Sequence, residues 1–296
     1  MGQRRFLRLT AGACLLCAVT LSSAALAEGT LRTSLKNPAE PALRSSAALV
    51  LDATHSAVLY SRHSDVAMPI ASITKLMTAL VVLEAGQSLD ETIEITSADT
   101  NLGRHHVSRL TPGMHLTRGD LLHLALMASE NRAAYALARN YPGGLGACVH
   151  AMNEKATQLG MRAARFVEPT GLSDANVASP EDLSMLVMAA AQVPVIRDYS
   201  TARDFSVVVG RHVLRFRNTD SLVVHPDWNI VVQKTGYISR AGRCLVMQTV
   251  IEDRTVVIVL LNSFGKHTRI ADARRVRRWV ESTLPPPQQP AVPATT

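Results

Sequence analysis

Lysine is scarce in this chain. Only five of its 31 strongly basic residues are lysine, and the other twenty-six are arginine. Where a permanent positive charge is enough, the sequence uses arginine, so each lysine raises a chemical question. Arginine keeps its proton at any relevant pH. Lysine can lose it when desolvated or placed near another cation. Cysteine is scarce as well. Cys14 and Cys17 lie in an N-terminal targeting segment, which leaves Cys148 and Cys244 beyond it. Two cysteines exclude a disulfide framework, and buried free thiols are the simpler expectation. After residue 27 no apolar run is long enough to span a bilayer. The chain shows no internal repeat.

The first 27 residues read as a signal peptide. Arg4, Arg5 and Arg8 form a basic start, Leu9 to Leu26 is mostly apolar, and Ala25-Leu26-Ala27 offers a cleavage site before Glu28. Phe6 follows the Arg4-Arg5 pair directly, which favours the general secretory route over twin-arginine export. Loss of the three arginines lowers the formal net charge from +7 to +4. That mild excess in an exported protein does not point to nucleic acid, and contact with an anionic polymer stays open. With 47% hydrophobic residues the chain can bury the core of one large domain.

The pattern along the chain is strand, helix, helical block, then strands again. Residues 28–44 read as a poorly structured lead-in. Ala47–Asp52 and Ala57–Tyr60 read as a hairpin. Leu76, Leu80 and Leu83 recur at helical spacing, with Gly86 as a stop. Residues from about 89 to 200 form a helical lobe, with helices expected at Arg118–Met127, Asn131–Asn140, Leu145–Leu159 and Pro180–Gln192. Phe205–Val209 and His212–Phe216 flank a Gly210-Arg211 turn. Ile230–Thr235, Cys244–Ile251 and Val256–Leu261 are further strands. A helix over Arg269–Thr283 would bury Ile270, Ala273, Val276 and Val280. Residues 285–296 are a Pro-rich tail. The order predicts an α+β fold, in which a sheet lobe is interrupted by a helical lobe and a cleft lies between the two.

Three short motifs carry chemistry. Ser72-Ile73-Thr74-Lys75 places a hydroxyl and an amine on one helix face, because positions i and i+3 are neighbours. A serine is a weak nucleophile unless a base lies within hydrogen-bond reach. The spacing predicts Ser72 exposed in the first turn of the helix. A second Ser-x-x-Lys, Ser263-Phe264-Gly265-Lys266, follows a buried strand, and its glycine argues for a loop with a surface lysine. Ser129-Glu130-Asn131 stands at a helix junction. By itself it reads most simply as a helix cap, but its hydroxyl and amide can relay a proton and hold a peptide carbonyl. Lys234-Thr235-Gly236 ends a strand. A strand edge can add a peptide as a new strand, and glycine there lets a second backbone come close.

Taken together and in this order, the motifs resemble those of the penicillin-recognising serine enzymes. Within that superfamily the chain is most similar to the low-molecular-mass penicillin-binding proteins, the D-alanyl-D-alanine carboxypeptidases and endopeptidases. The likeness runs from Ser46 to Leu284 and includes Pro69 to Ala79 and Glu168-Pro169-Thr170-Gly171-Leu172. Ser129-Glu130-Asn131-Arg132, Lys234-Thr235-Gly236-Tyr237-Ile238 and Ala241-Gly242-Arg243-Cys244 resemble the endopeptidase branch. The resemblance implies a β-lactamase/transpeptidase-like fold over residues 45–284, an antiparallel sheet flanked by helices, and a soluble periplasmic form without a C-terminal anchor. It implies that Ser72 is the acylated nucleophile, Lys75 its base and Ser129 a proton relay. Asn131, Lys234, Thr235 and Gly236 would bind substrate, and the backbone N–H groups of Ser72 and Tyr237 would form the oxyanion hole. The substrates would be peptidoglycan stem peptides, with β-lactams as covalent inhibitors and no metal or organic cofactor. The motifs name no protein partner.

Two rival readings have their own signals. A class A β-lactamase places a water-activating glutamate about where Glu168 stands, but Pro169-Thr170-Gly171-Leu172 follows it, so Glu168 is expected to pair or cap locally. A non-catalytic wall-binding protein would not need three intact motifs. The histidines His105, His106, His115 and His123 show no H-E-x-x-H spacing, which leaves a zinc peptidase without support. Arg274, Arg275, Arg277 and Arg278 read as a solvated helix face.

Overall fold

The computed structural model describes residues 40–54, 56–100 and 108–283. The expected signal peptide, most of the lead-in, the Pro-rich tail, His105 and His106 lie outside the described residues.

Strand β1 (Ser45–Asp52) pairs with β2 (Ala57–Arg62) as the expected hairpin. The short β3 (Met68–Pro69) leads into a 3-10 turn at Ala71–Ile73 and helix α1 (Thr74–Glu84). Next come β4 (Thr92–Glu94) and its partner β5 (His115–Thr117), then α2 (Arg118–Met127), α3 (Asn131–Arg139) and α4 (Gly144–Gln158). Strand β6 (Val177–Ala178) pairs back to β3 ahead of α5 (Pro180–Ala191) and α6 (Pro194–Thr201). A hairpin of β7 (Asp204–Val209) and β8 (His212–Arg217) precedes β9 (Asn229–Ile238), β10 (Gly242–Ile251), β11 (Arg254–Ser263) and α7 (Thr268–Thr283).

Helix starts follow their local chemistry. Thr117 and Asp120 make a capping box for α2, and Ser179 and Asp182 do the same for α5, with Pro180 preset for the first turn. The sequence reading leaves α6 unassigned. Pro194, which could have marked only the end of the previous helix, starts this one.

The main sheet is antiparallel, in the order β2-β1-β11-β10-β9, so the Lys234-Thr235-Gly236 strand is an edge. Alternating side chains build one core on each face. Val257, Val259 and Leu261 point to the larger core, shared with the helices, while Val256, Ile258 and Leu260 point to the smaller one under α7. This explains why β11 is apolar without a break. In α7, Ala273, Val276 and Val280 are buried and Ile270 is partly buried, as the stripe predicts. Helix α1 is buried from Thr74 to Val82 and is the central strut of the larger core, because a helix that is apolar all round has no solvent face.

Cys148 and Cys244 are free, buried thiols. Burial pushes them up to about 12 and about 11, so neither is a thiolate at neutral pH. His123 is stacked between Tyr199, at 4.3 Å, and Phe205, at 3.9 Å. Burial pulls its pKa down to about 4, so it is a neutral core ring.

Candidate active site

Ser72 lies in the 3-10 turn ahead of α1 and is only 9% exposed. This corrects the expectation of an exposed serine in the first helical turn. The turn is tight because Ala71, its first residue, has φ of +49°, a conformation that costs a residue with a side chain about 1–3 kcal/mol. Two glycines let the chain close around it. A Cβ on Gly171, whose φ is +80°, would fall 1.9 Å from the Ala71 carbonyl oxygen. One on Gly236 would fall 3.0 Å from the Ile70 oxygen and 3.2 Å from the Ser72 nitrogen. The edge of β9 therefore rests directly against the Ser72 amide. From beneath, Thr74 Oγ1 donates to the Ala71 oxygen at 2.8 Å, and Ile70 N donates to the Asn176 oxygen at 3.1 Å.

Lys75 is 1% exposed. Its Nζ lies 3.0 Å from Ser72 Oγ, 2.7 Å from Asn131 Oδ1 and 2.6 Å from the Thr170 carbonyl oxygen. Two of these three neighbours can only accept. A neutral amine fits them: it donates one N–H to each acceptor and turns its lone pair to the Ser72 hydroxyl. Burial lowers the Lys75 pKa to about 8, with Glu168 and Glu130 opposing. Lys234 is also fully buried, and its pKa falls well below the usual lysine range through burial and then the repulsion of Lys75 and Arg269. The sequence reading expects burial and nearby Lys234 together to depress Lys75. Burial does so, and the repulsion between the two lysines weighs on Lys234.

Glu130, not Ser129, caps α3 by accepting from Ala133 N at 2.9 Å. Ser129 therefore sits before the helix with φ of +59°, its hydroxyl free of capping duty. Ser129 and Asn131 join Ser72 in lining a cleft of about 250 Å³. Thr235, Gly236, Tyr237 and Arg269 line it as well. Thr235 Oγ1 meets Thr219 Oγ1 at 2.6 Å, and Lys234 Nζ donates to the Thr235 oxygen at 3.1 Å. All eight sequence-predicted site residues come together around this cleft, with Lys75 and Lys234 buried behind it.

Glu168 is fully committed to its own loop. Its carboxylate accepts from Thr170 N (2.7 Å), Thr170 Oγ1 (2.5 Å), Gly171 N (2.6 Å), Ser173 N (3.3 Å) and Asn176 Nδ2 (2.9 Å). That network aims the Thr170 carbonyl at Lys75 and leaves the carboxylate little capacity to activate a water. The sequence reading of Glu168 as a local structural acid agrees with these bonds.

Three participants escape the sequence reading. Asn176 is completely buried and bridges Glu168 to Thr74 at 3.1 Å, but a lone asparagine carries no signal. The Thr170 contact is a main-chain oxygen, which no side-chain motif reports. In the sequence Arg269 is only the start of the last helix. Its Nε and Nη1 are buried with no protein partner among the described residues, and it faces Asp220, whose pKa burial raises to about 6.

Residues 34–265 match the family described as D-alanyl-D-alanine carboxypeptidase. The chain belongs to this family. It is 48% identical over 260 residues to a D-alanyl-D-alanine endopeptidase of Pseudomonas aeruginosa, covering 87% of this chain and 82% of the relative. It is 44% identical over 270 residues to a D-alanyl-D-alanine endopeptidase of Escherichia coli, covering 90% and 86%. A solved D-alanyl-D-alanine carboxypeptidase from Mycobacterium tuberculosis superposes with a TM-score of 0.75 at 28% identity, over 84% of this chain and 94% of that one. The family's penicillin-binding fold is thus the fold of this chain, and the protein is a D-Ala-D-Ala hydrolase.

Proposed function

We propose that this protein is a serine D,D-endopeptidase that cleaves the bond between D-alanine and a diamino acid in cross-linked peptidoglycan. The observation that carries the mechanism is the contact set of Lys75 Nζ, which suits a neutral amine next to a serine hydroxyl. The two endopeptidases at 48% and 44% identity support the choice of bond.

The substrate backbone lies along the exposed edge of β9 as an added strand. Lys75 takes the Ser72 proton as Ser72 Oγ bonds to the D-alanine carbonyl carbon. The developing oxyanion accepts from the backbone N–H groups of Ser72 and Tyr237. Asn131 holds Lys75 and the substrate amide. The C–N bond then breaks, and the proton passes from Lys75 through Ser129 to the departing amine. Thr235 and Arg269, with Lys234 behind them, favour the carboxylate next to that amine. Water adds to the acyl ester, gives a proton to Lys75, and the C–Oγ bond breaks as the proton returns to Ser72. A β-lactam acylates the same serine, and its ring-opened leaving group stays attached.

Carboxypeptidase action is the second reading, because the same carboxylate pocket accepts a terminal D-alanine and the family description carries that name. Purified protein incubated with cross-linked muropeptide dimers and with monomeric pentapeptides separates the two. The endopeptidase reading expects dimers to become monomers. Intact dimers alongside pentapeptides that lose D-alanine would overturn it. The setting we propose is the periplasm, reached with the signal peptide over residues 1–27. A mature N-terminus at Glu28 in the periplasmic fraction is expected, and a retained Met1 would contradict it.

A further inference from the structure

A second groove opens beside the catalytic cleft and shares Ser129 and Asn131 with it. Its volume is about 230 Å³, and Arg109, Glu130 and Phe216 also line it. The Arg109 guanidinium lies 3.9 Å from the Phe216 ring centroid. Phe216 is itself buried in β8, opposite Phe205, which stacks on His123. The arginine thus rests on a rigid aromatic shelf, and no carboxylate among the described residues pairs with it. Glu130 is the acid within the groove, and its Oε2 is taken by Ala133 N.

The chemistry of the proposed reaction gives this groove a purpose. The carbon next to the departing amine carries three groups: the amine near Ser129, a carboxylate toward Thr235 and Arg269, and a side chain. For a terminal D-alanine the side chain is a methyl group and needs no further room. For a cross-link it is the arm of a diamino acid that continues into a whole second stem peptide. That arm needs an exit beginning next to Ser129, where this groove begins. The second stem also carries further carboxylates, which an exposed guanidinium held in place by an aromatic ring can pair with.

We propose that the groove holds the departing stem of the cross-link, and that Arg109 is a specificity-determining residue that pairs with one of its carboxylates. This rests on the endopeptidase reading. The test measures kcat/KM for Arg109→Ala and Arg109→Lys on cross-linked dimers and pentapeptides, and the rate of acylation by penicillin. Arg109→Ala should lose about tenfold on dimers and no more than twofold on the other two probes, with partial rescue in Arg109→Lys. Amidating the second-stem carboxylates should cost the unaltered enzyme a similar factor and cost Arg109→Ala nothing more. An equal loss on all probes, or none on dimers, would overturn the role of the groove while leaving the endopeptidase reading intact. Dimers left whole by the unaltered enzyme would overturn both.

Discussion

The chain contains the same four-residue pattern twice, with opposite outcomes. At Ser72-Ile73-Thr74-Lys75 the lysine is buried, touches its serine and is held by two further oxygens. At Ser263-Phe264-Gly265-Lys266 the serine ends β11, and its hydroxyl meets Ser45 Oγ at 2.6 Å. Ser45 in turn donates to the buried Asp272 of α7, so this serine ties the sheet to the last helix. Gly265 has φ of +90°, and Lys266 extends into solvent. A Ser-x-x-Lys spacing is therefore only an opportunity. It becomes an acylation site when the surrounding chain buries the amine, supplies acceptors for its N–H groups and leaves the hydroxyl unspent.

Mutations can break this contrast at either copy. The largest effect is expected for Ser72→Ala, which should lower β-lactam acylation by at least about 10⁴-fold, read as loss of the acyl-enzyme mass. The same change at Ser263 should leave acylation within about twofold and cost about 1 kcal/mol in denaturant unfolding. Lys75→Arg comes next. It keeps the charge but removes the base, and acylation should fall by about 10³-fold, whereas Lys266→Arg should be silent. Glu168→Gln should slow acylation by about tenfold to a hundredfold, because a single amide oxygen cannot hold the loop that aims the Thr170 carbonyl. A β-lactamase-like role for Glu168 predicts the reverse: normal acylation and a trapped acyl-enzyme.

Most of the fold was legible because its signals are local. The apolar run Val256–Leu261 marks a buried strand, and Pro180 marks the start of a helix. The eight site residues were legible because lysine is rare enough for Lys75 and Lys234 to stand out. What sequence did not reveal depends on tertiary approach. The 3-10 turn at Ser72 exists because Gly171 and Gly236, distant in the chain, let other backbones press against it. The Thr170 oxygen acts through main-chain geometry that has no residue signature, and the Asn176 side-chain amide matters only because the fold brings Glu168 and Thr74 to it. Arg269 reads as one more helix arginine until the sheet edge is seen to bring it to the cleft.

The central claim is that Lys75 is the base because burial has weakened its hold on a proton. Its pKa of about 8 leaves roughly a tenth of the enzyme in the active form at pH 7. The direct test is the second-order rate of Ser72 acylation by a fluorescent penicillin between pH 6 and pH 10. The rate should climb about tenfold per pH unit at the acid end, reach half its maximum near pH 8, and lose that titration in Lys75→Arg. A rate that stays flat from pH 6 to pH 9, or that falls as pH rises through 8, would contradict the assignment.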